Sequence, residues 1–150
     1  MESAYEIIEN IIQRYERYSR FLSYPGDWGE RAFRGWLVFD LFHTYLGWPI
    51  KNIVFGETYD VLLVDDEVKP IINIETKKPK KGLADYTDFV NRLKHYQTLY
   101  YAILTDGYDW LCHDCRDGPE ITFTFRQGDE KFKTFIKPFW SKRYLYGDKK

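Results

Sequence analysis

The sequence predicts an α/β domain in which one mixed β-sheet is flanked by helices. Three observations lead there: two amphipathic helical repeats at the start, a change to strand-like runs of Val, Ile and Leu between Ile50 and Lys78, and a third helical repeat before strands resume at Tyr101. With 150 residues, 44% hydrophobic and 19% aromatic, the chain has the apolar mass for one domain with its own core, and no repeat, linker or low-complexity segment divides it.

The first helix opens at Ser3-Ala4-Tyr5-Glu6, which has the spacing of a capping box. Ile8, Ile11, Ile12, Tyr15, Tyr18 and Leu22 follow at three- and four-residue steps, and Tyr24-Pro25-Gly26 supplies the stop. A second helix is expected from Gly29 to Leu46, with Phe33, Trp36, Leu37, Leu41 and Tyr45 on one stripe and Gly47-Trp48-Pro49 after it. Strands are expected at Ile50 to Phe55, Tyr59 to Asp65 and Pro70 to Lys77. Their apolar residues fall on both faces, as in central strands covered on both sides. Leu83 to Leu99 reads as a third helix. Tyr101 to Thr105, Trp110 to Cys115, Ile121 to Gln127 and Phe132 to Phe139 read as further strands, giving the order α-α-β-β-β-α-β-β-β-β.

Composition narrows the class. No run approaches the roughly 18 unbroken apolar residues of a membrane span, and Met1 to Glu6 has no basic region followed by an apolar one, so a soluble, cytoplasmic protein is expected. The net charge is -1, but seven basic residues between Lys131 and Lys150 stand against one acidic residue, Asp148, which makes a basic pole. Cys112 and Cys115 suggest a zinc half-site or a redox pair only superficially. Too few histidines accompany them, and the expectation is two small, buried or half-buried residues.

The chemistry concentrates in the hairpin from Tyr59 to Lys77. With its turn centred between Glu67 and Val68, opposed residues sum to 135, which sets Asp60 across from Glu75. Like charges directly opposite one another are destabilising, so a cation is needed there. Lys77, two residues beyond Glu75 and on its face, supplies one charge, and a hard divalent ion bridging the carboxylates would supply the rest. Such an ion polarises a phosphoryl oxygen and lowers the pKa of a bound water, while a lysine orients that water or offsets developing charge.

The stretch from Glu57 to Pro79 resembles the metal-binding core of the PD-(D/E)XK nuclease superfamily, with Asp60 as the motif aspartate and Glu75-Thr76-Lys77 as E-x-K. Glu30, Leu46-Gly47-Trp48, Ile74 to Pro79 and Leu104 to Trp110 extend the likeness over about residues 28 to 115. There the chain resembles the N-terminal nuclease domain of type I restriction enzyme motor subunits. The resemblance implies a restriction-endonuclease-like core and a divalent-metal-dependent nuclease acting on DNA, with Mg2+ or Mn2+ held by Asp60 and Glu75. It also implies catalytic roles for Asp60, Glu75, Lys77 and Glu30. Tyr59 stands where the superfamily name has proline. The helix after E-x-K reads Arg92-Leu93-Lys94-His95-Tyr96 where the restriction relatives have Q-x-x-x-Y, so arginine replaces the glutamine.

Glu30 also has a local explanation, because Asp27-x-x-Glu30 has capping-box spacing. Nucleic acid is expected to meet Lys78, Lys80 and Lys81, which follow the metal site directly, and Arg92. The run from Lys131 to Tyr144, which alternates aromatic and basic residues, fits either a groove for a single strand or an edge strand guarded by lysine and proline. Two other functions fit the same residues: a non-catalytic binding module with a nuclease fold, and a nuclease component of a homodimer or larger assembly targeted by its partners.

Overall fold

A computed structural model describes residues 2–22, 28–56, 60–79, 81–83, 89, 98–116 and 120–145. Helix α1 spans Ala4–Arg17 and begins with the expected capping box: Ser3 Oγ accepts from the Glu6 N–H and Glu6 reaches back to the Ser3 N–H. A short α2, Ser19–Leu22, follows. Helix α3, Trp28–Trp36, continues without a break into a wider π-type stretch, Leu37–Tyr45, in which Leu46 N–H reaches back five residues to Leu41 O. No helix among the described residues is long and apolar enough to cross a membrane.

Six strands form one mixed sheet in sequential order: β1 Ile53–Phe55, β2 Val61–Val64, β3 Pro70–Thr76, β4 Tyr101–Thr105, β5 Asp109–Asp114 and β6 Glu120–Thr124. All neighbours are antiparallel except β3 and β4, which are parallel. A parallel pair needs a crossover connection, and residues 77–100 provide it. The third predicted helix falls in that connection, largely outside the described residues. Phe89, the one described residue between 84 and 97, is helical and buried against Ala102 and Leu104.

The hairpin register agrees with the sequence reading. Val61 pairs with Ile74, Leu62 with Asn73 and Leu63 with Ile72, all summing to 135, and a bulge between Leu63 and Val64 then shifts Val64 onto Pro70. The bulge absorbs an odd-membered turn. Asp65 Oδ1 accepts from the N–H groups of Glu67 and Lys69, while Val68 takes a left-handed conformation with φ 65°.

Alternation along the strands divides the sheet into two faces. Ile72, Ile74, Ile103, Trp110, Cys112 and Phe123 face a large core closed by α1, α3 and the C-terminal elements, whereas Ala102, Leu104 and Leu111 meet Phe89 on the other face.

One predicted strand is a helix. Phe132 to Phe139 forms most of α4, Asp129–Ile136, and a 3-10 turn, Lys137–Phe139. Phe132, Phe135, Ile136 and Phe139 recur at helical spacing and are buried together, and Asp129 and Glu130 place negative charge in the first turn. The reading of this run as an edge strand therefore falls, and with it the last β of the predicted order. The strand expected to extend from Ile121 to Gln127 ends at Thr124, where a 3-10 turn, Phe125–Gln127, takes over.

Candidate functional site

The site begins where β2 and β3 separate. Pairing runs as far as Val61 and Ile74, so the next residues outward are Asp60 and Glu75. There a side chain replaces the ladder: Asp60 Oδ2 accepts the Thr76 N–H at 2.7 Å and lies 3.3 Å from Thr76 Oγ1. On its other side β3 stays joined to β4, with Lys77 N–H donating to Thr105 O at 2.9 Å. The strands splay on one side only, which opens the chain at Asp60 while holding Glu75 and Lys77 on a fixed strand end.

Helix α3 brings its first turns to this place. Arg34 Nε donates to Thr76 Oγ1 at 3.1 Å, and its Nη2 lies 2.6 Å from Glu30 Oε2 and 3.2 Å from Asp60 Oδ1. One guanidinium thus joins two carboxylates and the centre of the E-x-K segment. Its side chain is only 14% exposed, and charge-assisted bonds in such a setting are stronger than those at an open surface. Glu30 titrates above the ordinary glutamate range because burial disfavours its charge and Asp60 repels it, against the opposing pull of Arg34 and Lys77.

Glu75 is buried, its side chain 7% exposed, with Lys77 Nζ 4.0 Å from Oε2. It pairs with Leu104 and so shares the face covered by Phe89, while Thr76 and Arg34 meet on the opposite face. Asp60, at the separated end of β2, bonds to the β3 edge between them.

The docking of α3 has its own cause. Gly107, in the turn between β4 and β5, has φ 92°, and a Cβ there would come within 3.2 Å of the Phe33 ring. Phe33, one residue before Arg34, is fully buried, so this close approach fixes the helix over the strand ends. The same turn secures the lysine loop. Asp106, 1% exposed, accepts the N–H groups of Tyr108 and Asp109 on Oδ1 and that of Gly82 on Oδ2 at 2.7 Å.

The predicted residues are therefore distributed as follows. Glu30 and Asp60 meet on Arg34, and Asp60 bonds Thr76, whose chain neighbours Glu75 and Lys77 pair with each other at 4.0 Å. Lys78 is half-buried and Lys81 exposed in the adjoining loop, where Lys81 N–H bonds Lys78 O. Lys80 and Arg92, together with Asp27 and the Arg92 to Tyr96 motif, lie outside the described residues. Glu30 is bonded to Arg34, four residues on.

Sequence reasoning missed Arg34 and Asp106. The four-residue step from Glu30 to Arg34 was a usable signal for an ion pair, though not for its reach to Asp60. Cys112 is buried and Cys115 half-buried, both as free thiols, and burial pushes the Cys115 thiol up to about 11, far from the thiolate a metal or redox site requires.

Among the described residues no group of three or more His, Cys, Asp or Glu side chains is gathered to hold a metal ion. Asp60 and Glu75 are hard oxygen donors, the class that Mg2+ takes, and that ion needs only one or two carboxylates because water and substrate oxygens complete its shell. The positive charge at Asp60 is supplied by the Arg34 guanidinium, 3.2 Å from Oδ1.

The basic pole forms a second feature. Lys133, Lys137, Lys142 and Arg143 ring a cavity of about 530 Å³ whose wall includes Tyr45 and Trp140, and one acid, Glu130, lines it. Compared with known proteins, the chain matches no family model, no curated protein and no solved structure.

Proposed function

We propose that the protein is a divalent-metal-dependent nuclease that hydrolyses phosphodiester bonds in DNA at the splayed end of β2 and β3. The observation that carries this reading is the convergence of Asp60, Glu75 and Lys77 at one strand end, next to Glu30 of α3. Asp60 and Glu75 would hold Mg2+ or Mn2+. The ion, when bound, supplies electrophilic stabilisation of the phosphate and an acidified water.

The chain's own residues do the rest. The Thr76 N–H fixes the Asp60 carboxylate through Oδ2. Burial beside Lys77 keeps Glu75 in one place. Lys77 would orient the attacking water or offset charge on the phosphate. Lys78 and Lys81, with Lys80 and Arg92, would contact the strand's phosphates, and Asp106 anchors the backbone next to Lys81 through Gly82. The resemblance to PD-(D/E)XK nucleases supports the same assignment.

A specific observation favours a second reading, a non-catalytic nucleic-acid-binding module: both oxygens of Asp60 are engaged by protein donors. Incubating plasmid, single-stranded DNA and RNA with Mg2+, Mn2+ or EDTA separates the two. A nuclease cuts at least one substrate only with metal and loses the activity in Glu75→Ala and Lys77→Ala. A binding module retains affinity for nucleic acid and cuts nothing.

A further inference from the structure

We propose that Arg34 is an internal counter-ion that a divalent cation must displace from Asp60, so that metal binding and the Arg34–Asp60 ion pair exclude one another. The inference rests on the metal-site reading above and adds a residue that the E-x-K pattern does not contain. Three contacts carry it: Arg34 Nη2 lies 3.2 Å from Asp60 Oδ1, the same nitrogen lies 2.6 Å from Glu30 Oε2, and Nε donates to Thr76 Oγ1 at 3.1 Å.

Asp60 Oδ2 already accepts the Thr76 N–H, which leaves Oδ1 as the oxygen a cation would take. Arg34 stands on that oxygen. Two cations on one carboxylate oxygen repel each other in a half-buried setting, so one must leave. A side chain on a helix can swing while the Thr76 amide keeps the carboxylate in place. Glu30 gives the guanidinium a second partner to retain once Asp60 is taken, so displacement leaves no buried charge unpaired. The released face of the guanidinium then points its donors toward the anion that the metal recruits, and its planar fork suits the paired oxygens of a phosphate.

The role differs from simple structural support. A guanidinium that only supported the fold would aid metal binding by preordering Asp60, whereas a competing one weakens it. Neutralising Arg34 removes a charge-assisted bond from the metal-free form, so a gain of about tenfold should appear in metal affinity.

The test is Mn2+ binding followed by electron paramagnetic resonance on the full chain, comparing wild type with Arg34→Gln, Arg34→Lys and Asp60→Asn. The expected result is that Arg34→Gln binds about tenfold tighter than wild type, Arg34→Lys lies between them, and Asp60→Asn binds at least tenfold more weakly. Unchanged or weaker binding in Arg34→Gln, with binding still lost in Asp60→Asn, overturns the displacement and leaves the metal site standing. No Mn2+ binding by wild type overturns the metal site itself. A measurement on wild type covers failure of the variants to fold: the Arg34 Nε–H signal in nitrogen-15 spectra should exchange faster with water when Mg2+ is added. An unaltered exchange rate overturns the proposal.

Discussion

The two ends of the long helix formed by Trp28–Trp36 and its continuation to Tyr45 handle charge in opposite ways. Near its start, acids are partly or fully buried and held against cations: Glu30 and Asp60 share Arg34, and Glu75 lies beside Lys77. Near its end, on the order of 20 Å away along the helix axis, the lysines and the arginine of the cavity are exposed while its aromatic residues are half-buried. Burial makes the first set costly to disturb and sensitive to neighbours, whereas exposure leaves the second screened by water and salt. The proposed metal chemistry would draw on the first end, and the proposed contact with a polyanion on the second.

Substitutions at both ends break or sharpen this contrast. The largest effect expected is on catalysis. Glu75→Gln should lower metal-dependent cleavage by about two to three orders of magnitude, while Lys137→Gln should change the rate less than about tenfold and chiefly weaken binding, with a smaller salt dependence. Plasmid nicking rates and oligonucleotide affinities at several salt concentrations measure both. Equal losses of rate from the two variants would erase the distinction.

Stability should show the reverse weighting. Trp48 is fully buried near the basic pole, stacked on Tyr144 with centroids 5.9 Å apart, and its Nε1–H donates to Phe139 O at 2.8 Å. Trp48→Ala should cost about 3–5 kcal/mol in urea unfolding. Lys133→Gln, on an exposed lysine, should stay within about 0.5 kcal/mol. The aromatic residues, not the charges, hold that end together.

A smaller loss is expected from Gly107→Ala. It places a side chain at φ 92° and within 3.2 Å of Phe33, so about 1–3 kcal/mol of stability should go, as a lowered melting temperature. Cleavage should fall with it, because Phe33 adjoins Arg34 on α3.

The smallest expected effect is a dependence on pH. The Glu30 carboxyl titrates above its unfolded value, so its ionised form is penalised in the folded protein. Stability is full below the unfolded pKa and declines as pH rises through the folded one. Glu30→Gln should therefore gain stability relative to wild type as pH rises through that window and show no gain at pH 3, where wild-type Glu30 is itself protonated. A gain independent of pH would contradict burial and Asp60 as the cause.

The two ends also differ in how much of them was legible. The hairpin could be read closely because its period of two fixes the face of each residue and its turn fixes the sum of paired numbers. The bulge at Leu63 and Val64 changed the turn without changing the register near Asp60. The basic segment misled because Lys131-Phe132-Lys133 and Phe135-Ile136-Lys137 contain alternation and helical spacing at once, and only packing of Phe132, Phe135 and Phe139 against Trp110, Phe123 and Tyr101 decides between them. Arg34 stayed hidden for another reason. Its partners, Asp60 and Thr76, are distant in the chain, and their meeting depends on how α3 docks against the strand ends.

A crystal of the protein soaked in Mn2+ would decide whether Asp60 and Glu75 together bind a divalent cation. Anomalous scattering should reveal a manganese ion on the carboxylates of Asp60 and Glu75. Manganese found only elsewhere, or absent at saturating concentration with Arg34 still on Asp60, would rule out a metal site on these two acids.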